Sequence, residues 1–563
     1  MNFELLPNEI VLTLFDYFRS IDLLKIFFGL NTRFNLLLYK QFRRYRLNCL
    51  SLSKRIFDDV CQQHLPFLID RIITLKLSDD SSTTGQIDHF LSYISSLSLL
   101  TNLRYLTLLN IHSRETLIKL VNEFSSLSNV TYLNISFRCY ENDEIDFQMI
   151  IDNIWSLPKL IHCRYTIYIR NLSSFLLPTK VCSTLKNFYL FGQQIQYNKI
   201  FQLYECAPSL KHLRVSVTIN DNVNENRMSS LLTLTKLRMV IFRTSIFMSL
   251  LEYLPNLCYL QMTVSCYLIT GDRWEHLICN YLPKLKTFKL RMSDDLPVND
   301  NIEERADELI NSFRSSFWIK ERRWFVRCYS FHKKLYLETL SKQFFYMEDS
   351  FPHIWRSTDP NDDHKIFYNS ITHISVETFF NQSFPSYIRL HNLNTLHIKF
   401  PLNDQFWLIV SSLKKLRRLH IKSFTKEYQY QLQRLLNQAS GLQFLSIDQD
   451  GASLSFDKFM NKSIHELDFR CLNEVFNEEE CINLCQSSLG IQCKILTISV
   501  TTHQSILILI QNMKNLQALH IQYNEYTSNS NSNEIIQWLK AQLSSTFCIN
   551  QDRKLNNYLH IWI

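Results

Sequence analysis

One short pattern recurs along most of this chain: apolar, two variable, apolar, one variable, apolar. It reads Leu103-Arg-Tyr-Leu106-Thr-Leu108, Leu210-Lys-His-Leu213-Arg-Val215, Leu257-Cys-Tyr-Leu260-Gln-Met262 and Leu285-Lys-Thr-Phe288-Lys-Leu290. It returns as Leu393-Asn-Thr-Leu396-His-Ile398, Leu416-Arg-Arg-Leu419-His-Ile421, Leu442-Gln-Phe-Leu445-Ser-Ile447 and Leu516-Gln-Ala-Leu519-His-Ile521. Weaker copies centre on Leu75, Leu133, Cys163, Phe188, Val240, Ile374, Leu467 and Leu496. About sixteen copies follow one another, at spacings of mostly 20 to 31 residues. One copy means little in a chain rich in leucine, but a phased series constrains the fold.

The last two apolar residues of each copy alternate with variable ones, as a strand buried on one face requires. Segments between copies, such as Glu115 to Phe124 and Tyr428 to Asn437, have the spacing of short amphipathic helices. Pro158, Pro208, Pro255 and Pro283 each stand two residues before a first anchor, where proline ends a helix. One such unit cannot bury its own face, so units must stack into a continuous curved core. The array is similar to leucine-rich repeats. The expected fold is α/β, with a curved parallel sheet on the concave side and short helices on the convex side. A HEAT-type solenoid would need two long helices per ~40 residues, and the β-alternating copies do not supply them.

Between residues 293 and 370 the array is disturbed. The stretch opens acidic, reads as a helix to about Trp318, and continues through Lys320-Glu-Arg-Arg-Trp-Phe-Val-Arg327. Basic residues among aromatics can mark a nucleic-acid surface; the favoured reading is an atypical helix and one or two strands continuing the array. Tyr558 to Ile563 resembles a final strand, preceded by a helix over about Asn533 to Ser544.

The chain has only seven glycines in 563 residues, and no two are close enough for a phosphate-cradling loop. The common dinucleotide and P-loop sites are thereby excluded. No hydrolase elbow, H-E-x-x-H or kinase signature is present, so no catalysis and no cofactor are expected. The net charge of +8 is below that of most dedicated nucleic-acid binders. Fifteen cysteines without a C-x-x-C pair point to buried free thiols in a reducing compartment. The densest group, Cys471, Cys481, Cys485 and Cys493, is assigned to core packing rather than zinc. No apolar run approaches ~18 residues, so no membrane span is expected, and a cytoplasmic or nuclear location is inferred.

The first forty residues do not follow the repeat. Leu6-Pro7-Asn8-Glu9-Ile10 opens a helix, with proline near its first turn and Glu9 near its positive end. Ser20 is placed as the cap of a second helix, Ile21 to Phe28, stopped by Gly29. Thr32 is placed as the cap of a third, running through Leu38. Three helices this short cannot bury all their apolar side chains among themselves, which marks a partner surface.

Residues 3 to about 42 resemble an F-box. Leu6, Pro7, Glu9 and Ile10 match the family's L-P-x-E-[IL] opening, Leu14 and Phe18 its next apolar positions, and Asp22, Leu23 and Leu24 its D-L-L step. Where the family often has tryptophan, this chain has Asn31-Thr-Arg-Phe34. The resemblance implies an F-box at 1–45, a connecting helix at 46–70, and repeats in a first arc at 71–292. Atypical repeats or an insert at 293–370 and a second arc with a C-terminal cap at 371–563 complete the expected organisation. It further implies a substrate-recognition subunit of a Skp1-cullin-F-box ubiquitin ligase, partnered by Skp1 and, through it, a cullin. By carry-over, Leu6, Pro7, Ile10, Leu14, Leu23 and Leu24 are adaptor contacts, and Glu9 mainly starts the helix. Some of these leucines must instead close the domain onto the first repeat, and the sequence does not divide the two sets. A scaffold without a ligase role, or an RNA-binding repeat protein, are the alternatives.

Variable residues flanking the strand anchors should line the concave face. Basic ones prevail there: Arg164, Arg214, Arg243, Lys289, Arg291, Lys399 and Lys422, with His397 and His420 one repeat apart. In this reading Ile241 occupies the central column of its copy, and acidic residues gather late, at Glu377, Asp448, Glu466 and Asp468. An acidic or phosphorylated segment of a target protein is the expected ligand. Arg214, Arg243, Lys289 and Arg291 form the favoured cluster; the two histidines could add pH sensitivity, but plain surface histidines are the favoured reading.

Overall fold

The computed structural model describes residues 3–139, 147–169, 174–218, 230–242, 247–295, 301–331, 334–340, 354–375, 379–380, 387–449, 456–470, 475–523, 532–543, 547–551 and 558–563. The chain divides into two compact units, Met1–Asp294 and Asp295–Ile563.

The first unit opens with helices α1 (Asn8–Phe15), α2 (Ser20–Phe27) and α3 (Thr32–Leu36). Ten strands follow: β1 (Tyr45–Asn48), β2 (Ile72–Ser78), β3 (Tyr105–Ile111), β4 (Tyr132–Cys139), β5 (His162–Ile169), β6 (Asn187–Gln196), β7 (His212–Thr218), β8 (Lys236–Phe242), β9 (Tyr259–Ser265) and β10 (Thr287–Asp295). Each pairs in parallel with the next. Strand β1 is a copy that the sequence pattern hides, because no leucine-type anchor precedes Tyr45-Arg-Leu47; its Leu47 pairs with Leu75.

The alternation works as expected. In β7, Leu213, Val215 and Val217 are buried, while Arg214 is exposed on the opposite face. The helix Lys199–Cys206 buries Ile200, Phe201 and Leu203, and Pro208 follows it. Each fully buried anchor contributes ~1.5–3 kcal/mol, but only because its neighbours above and below exclude water.

An asparagine immediately before the first anchor ties several repeats to the one before. The side-chain amides of Asn102, Asn129 and Asn256 donate to the carbonyls of Asp70, Thr101 and Leu232 at 2.6, 2.8 and 2.8 Å. Asn515 does the same to Ile491 at 2.7 Å in the second unit. Each donates to the carbonyl two residues before the first anchor of the preceding copy.

Two local features depart from expectation. The copy assigned to Val240 is out of phase by three residues. The observed copy is Leu234-Thr-Lys-Leu237-Arg-Met239, with Leu237 paired to Leu213 and Leu260. Arg238 therefore holds the central column, and Ile241 is buried. Strand β6 carries a bulge: Tyr189 pairs with Arg214, but Gln194 pairs with Ser216. Gly192 makes it possible, with φ +81 and a carbonyl, that of Ile167, only 1.9 Å from where a Cβ would stand.

The second unit begins with the helix Ile302–Asn311, capped by the Asn301 side chain and acidic in its first turn. The next strands, β11 (Val326–Phe331), β12 (Lys334–Thr339) and β13 (Trp355–Ser357), pair antiparallel. Their antiparallel pairing departs from the parallel pairing of the repeats. Arg327 lies on β11. It is buried, bonded to Asp362, 3.6 Å from Glu338, and stacked over Trp355. The basic and aromatic run thus spends Arg327 on packing.

Parallel repeats resume with β14 (His373–Ile374), β15 (Thr395–Lys399), β16 (Arg418–Phe424), β17 (Phe444–Gln449), β18 (Glu466–Phe469), β19 (Ile495–Val500) and β20 (Ala518–Tyr523). Two last strands, β21 (Cys548–Gln551) and β22 (Tyr558–Trp562), are antiparallel, and β22 pairs with β20. The helix before them spans Ser532–Gln542. One core cluster runs from Tyr329 to Ile561.

Candidate binding faces

The N-terminal helices pack on an aromatic centre. Phe15 meets Phe27 at 4.9 Å between ring centroids, and Phe27 meets Phe34 at 5.5 Å. Arg33 locks the chain start in place by bonding the Asn8 side chain and the carbonyls of Glu4 and Leu6. The third helix is capped by Asn31, whose side chain accepts from the Phe34 amide, and not by Thr32. Ser20 does not cap α2 either; its hydroxyl accepts from the Arg46 amide.

The structure separates the residues carried over as adaptor contacts. Leu23 and Leu24 are buried, so they hold the helices together and are not available to a partner. Leu6 and Leu14 are half-buried, while Pro7, Glu9 and Ile10 are exposed. Around them stand further exposed apolar residues on the same helices and their turns: Leu5, Tyr17, Phe18, Ile26, Phe28, Leu30 and Leu36.

The outward face of the first unit's sheet has a one-sided charge. Strands β1 to β9 contain no aspartate or glutamate, yet they carry Arg46, Lys76, Arg138, Arg164, Arg214, Lys236 and Arg238. In the central column, Arg164, Tyr189, Arg214, Arg238, Gln261 and Lys289 succeed one another across six strands. Arg291 lies two residues beyond Lys289 and is exposed. Arg243 lies outside the described residues, as does Glu377.

Arg164 and Arg214 both lie over one ring, that of Phe191, at 4.7 and 4.5 Å from its centroid. Arg238 lies over Tyr259 at 5.3 Å. Partial burial, and then the like charges of Arg238 and Arg164, hold the Arg214 guanidinium below its ordinary value. Beside this cluster runs a ladder of rings. Tyr105 meets Tyr132 at 5.9 Å, Tyr132 stacks on His162 at 4.7 Å, and His162 meets Tyr189 at 5.0 Å. Burial, followed by the charge of Arg164, lowers the His162 pKa and keeps the ring neutral near pH 7.

Arg238 was legible in Leu237-Arg-Met239 and was lost to the misphased copy. Tyr105, Tyr132 and His162 occupy one repeating position, just before the second anchor, that pattern reading could have tracked. Phe191 had no signal beyond the adjacent Gly192.

On the second unit's face two arginines stand beside acids. Arg418 lies 3.9 Å from Glu466 and over the Phe444 ring, and Arg470 bonds Asp468 at 2.9 Å. His397 and His420 stack at 4.1 Å, with Lys399 and Lys422 paired beside them in register. Burial, then the neighbouring His397 and Arg418, depress the His420 pKa to about 4. His420 is therefore neutral over the physiological range and cannot act as a sensor there.

Among the described residues, no group of three or more histidine, cysteine or acidic side chains is placed to hold a metal ion. Cys481, Cys485 and Cys493 are buried, with thiols pushed up to about 12, 11 and 12 by desolvation; Cys471 lies outside the described residues. Among the described residues no helix is long and apolar enough to cross a membrane.

The fold and these faces define a stack of strand–helix repeats with an open sheet surface. No family model matches the chain, and no curated protein matches it. Among solved structures it is similar to the mouse RP105/MD-1 complex, at 14% identity over 75% of this chain and 70% of that one, with a TM-score of 0.28. It is also similar to a leucine-rich-repeat protein of Leptospira interrogans, at 13% identity over 89% of this chain and 98% of that one, with a TM-score of 0.21. Likenesses this loose carry no argument, and the repeat assignment rests on register and burial.

Proposed function

We propose that this chain is a leucine-rich-repeat receptor that holds an acidic or phosphorylated segment of a target protein on the open face of its first unit. The observation that carries this reading is the run of nine strands without a carboxylate, fronted by seven Lys and Arg residues. Such a face attracts anionic partners and repels cationic ones. In this reading the N-terminal helices dock a Skp1-type adaptor and through it a cullin, so the chain is the non-catalytic recognition subunit of a ubiquitin ligase in the cytoplasm or nucleus. The exposed Ile10 and Tyr17, at 48% and 83%, support a docking surface there. Burial of Leu23 and Leu24 favours the second reading, a scaffold without an adaptor, since two of the carried-over contacts are withdrawn.

The test is affinity capture from cells with the full chain and with an Ile10→Ser/Tyr17→Ser variant. Skp1 and a cullin should co-purify with the first and be lost with the second. If neither chain retains them, the ligase reading fails; if captured acidic proteins persist, the scaffold reading stands.

A further inference from the structure

We infer that His162 and His212 couple the open face to protons: binding an anionic segment draws protons onto these two rings, so the face holds its ligand more tightly as the pH falls below neutral. This rests on the proposed reading of the open face and adds how that face is regulated.

The register sets the two rings among cations. His162 on β5 pairs with Asn187 on β6, and Asn187 pairs with His212 on β7, so both rings stand in one row, two strands apart. Two strand spacings are about 10 Å. Arg164 stands two residues beyond His162, and Arg214 two beyond His212. Each is on the same side of the sheet as its histidine and roughly 7 Å along the strand. Lys236 on β8 continues the row past His212, and Arg238 lies two residues beyond it. Lys186 and Lys211 immediately precede β6 and β7. His162 meets Tyr132 on the β4 side and Tyr189 on the β6 side. Strands β4 to β8 bring no carboxylate to either ring.

Both rings are half-buried. In the unliganded protein, burial and then Arg164 hold His162 below the ordinary histidine value of 6.5. Burial, then Lys236, His162, Lys211 and Arg238, do the same to His212. An acidic segment laid over Arg164, Arg214 and Arg238 brings opposite charge to the same row and works in the other direction, favouring the protonated rings. Between the unliganded and the liganded values, the complex holds protons that the unliganded protein lacks. By linkage, affinity therefore rises as the pH falls through that window, and the gain vanishes at alkaline pH, where both states are deprotonated.

The surroundings let His162 take the charge in place. Tyr132 stacks on it at 4.7 Å, and a tyrosine face attracts a cation. The second unit is built differently. There His397 stacks on His420 at 4.1 Å, so a proton on one ring faces another imidazole. Burial and then His397 hold His420 down to about 4, far below neutrality. The contrast assigns the proton linkage to the first unit.

The test uses the full-length protein and a rhodamine-labelled peptide of six aspartates, whose carboxyls, at about 3.9, stay ionised above pH 6. Fluorescence anisotropy at constant ionic strength should show the Kd falling by about tenfold between pH 8 and pH 6. His162→Asn and His212→Asn should each remove part of that change, and the double variant nearly all of it. At pH 8 the double variant should bind as the wild type does, since the rings are then neutral in either state. Calorimetry near pH 6.5 in buffers of different ionisation enthalpy should register net proton uptake on binding by the wild type and none by the double variant. A wild-type Kd constant within about twofold from pH 6 to 8 overturns this inference and leaves the acidic-segment reading standing. A pH dependence that the double variant retains in full does the same. Absence of binding at every pH defeats both.

Discussion

Replacing Arg327 with methionine is expected to destabilise the second unit by about 3–5 kcal/mol. Arg327, Glu338 and Asp362 form a charged cluster whose side chains are 3%, 9% and 3% exposed. The arginine bonds Asp362 through Nε at 2.9 Å and through a second nitrogen, and it stacks on Trp355 at 4.5 Å. Desolvating three charges is costly, and their mutual attraction is what offsets that cost. Methionine keeps most of the volume but leaves two carboxylates facing each other in a dry site. The loss should therefore come from stranded charge rather than from a cavity. Adding Glu338→Gln and Asp362→Asn to the single variant removes that charge and should recover most of the stability, leaving a deficit of about 1–2 kcal/mol for imperfect polar pairing. Urea unfolding followed by tryptophan emission reports on it, since Trp318, Trp324 and Trp355 lie in this unit. Hydrogen exchange of β11 and β12 would locate the effect. A triple variant no more stable than the single one would refute the reasoning, as would a single variant within about 1 kcal/mol of wild type.

Three further outcomes are expected. Gly192→Ala should lower first-unit stability by about 2–4 kcal/mol, through a left-handed φ and a backbone clash, read as a lower urea midpoint; an unchanged midpoint would count against the bulge geometry. For His420, the folded pKa lies near 4 and the unfolded value near 6.5. Between them the unfolded chain binds the proton first, so stability is fully present above about pH 6.5 and falls as the pH drops toward 4. His420→Asn should flatten that slope in thermal melts, and an unaltered slope would assign it elsewhere. Finally, Leu23→Ala should cost about 2–5 kcal/mol, whereas Ile10→Ser should stay within about 0.5 kcal/mol; comparable losses in calorimetry would mean that Ile10 is core.

The repeating units were readable because each strand states its own period. Leu106, Leu213, Leu260, Leu396 and Leu519 all fall where the pattern placed them, and the register aligns them into rows. What failed was phase where two patterns overlap. Met239, Val240 and Ile241 are all apolar, and only the pairing of Leu237 with Leu213 chooses between frames. The antiparallel β11 and β12 were hidden for a different reason: a buried Arg327 looks like a surface residue until Asp362, thirty-five positions on, is brought to it. The N-terminal leucines show the same limit. Leu14 and Leu24 read alike along a helix, and only the packed bundle makes one half-buried and the other fully so. The basic column was visible in outline, but its arrangement was not, because Phe191 owes its role to a bulge that no periodic template contains.

Across most of the open face a residue can be exchanged without disturbing what lies beneath it, since strand anchors and outward positions alternate. Such a surface can drift toward new ligands by single substitutions while the stack persists. The Phe191 platform is an exception to this freedom. It sits beside Gly192, a position at which the Ile167 carbonyl excludes any side chain. Descendants of this sequence that keep the paired arginines over the ring are expected to keep the glycine too, and those that lose it should lose the arginine pairing before they lose the fold.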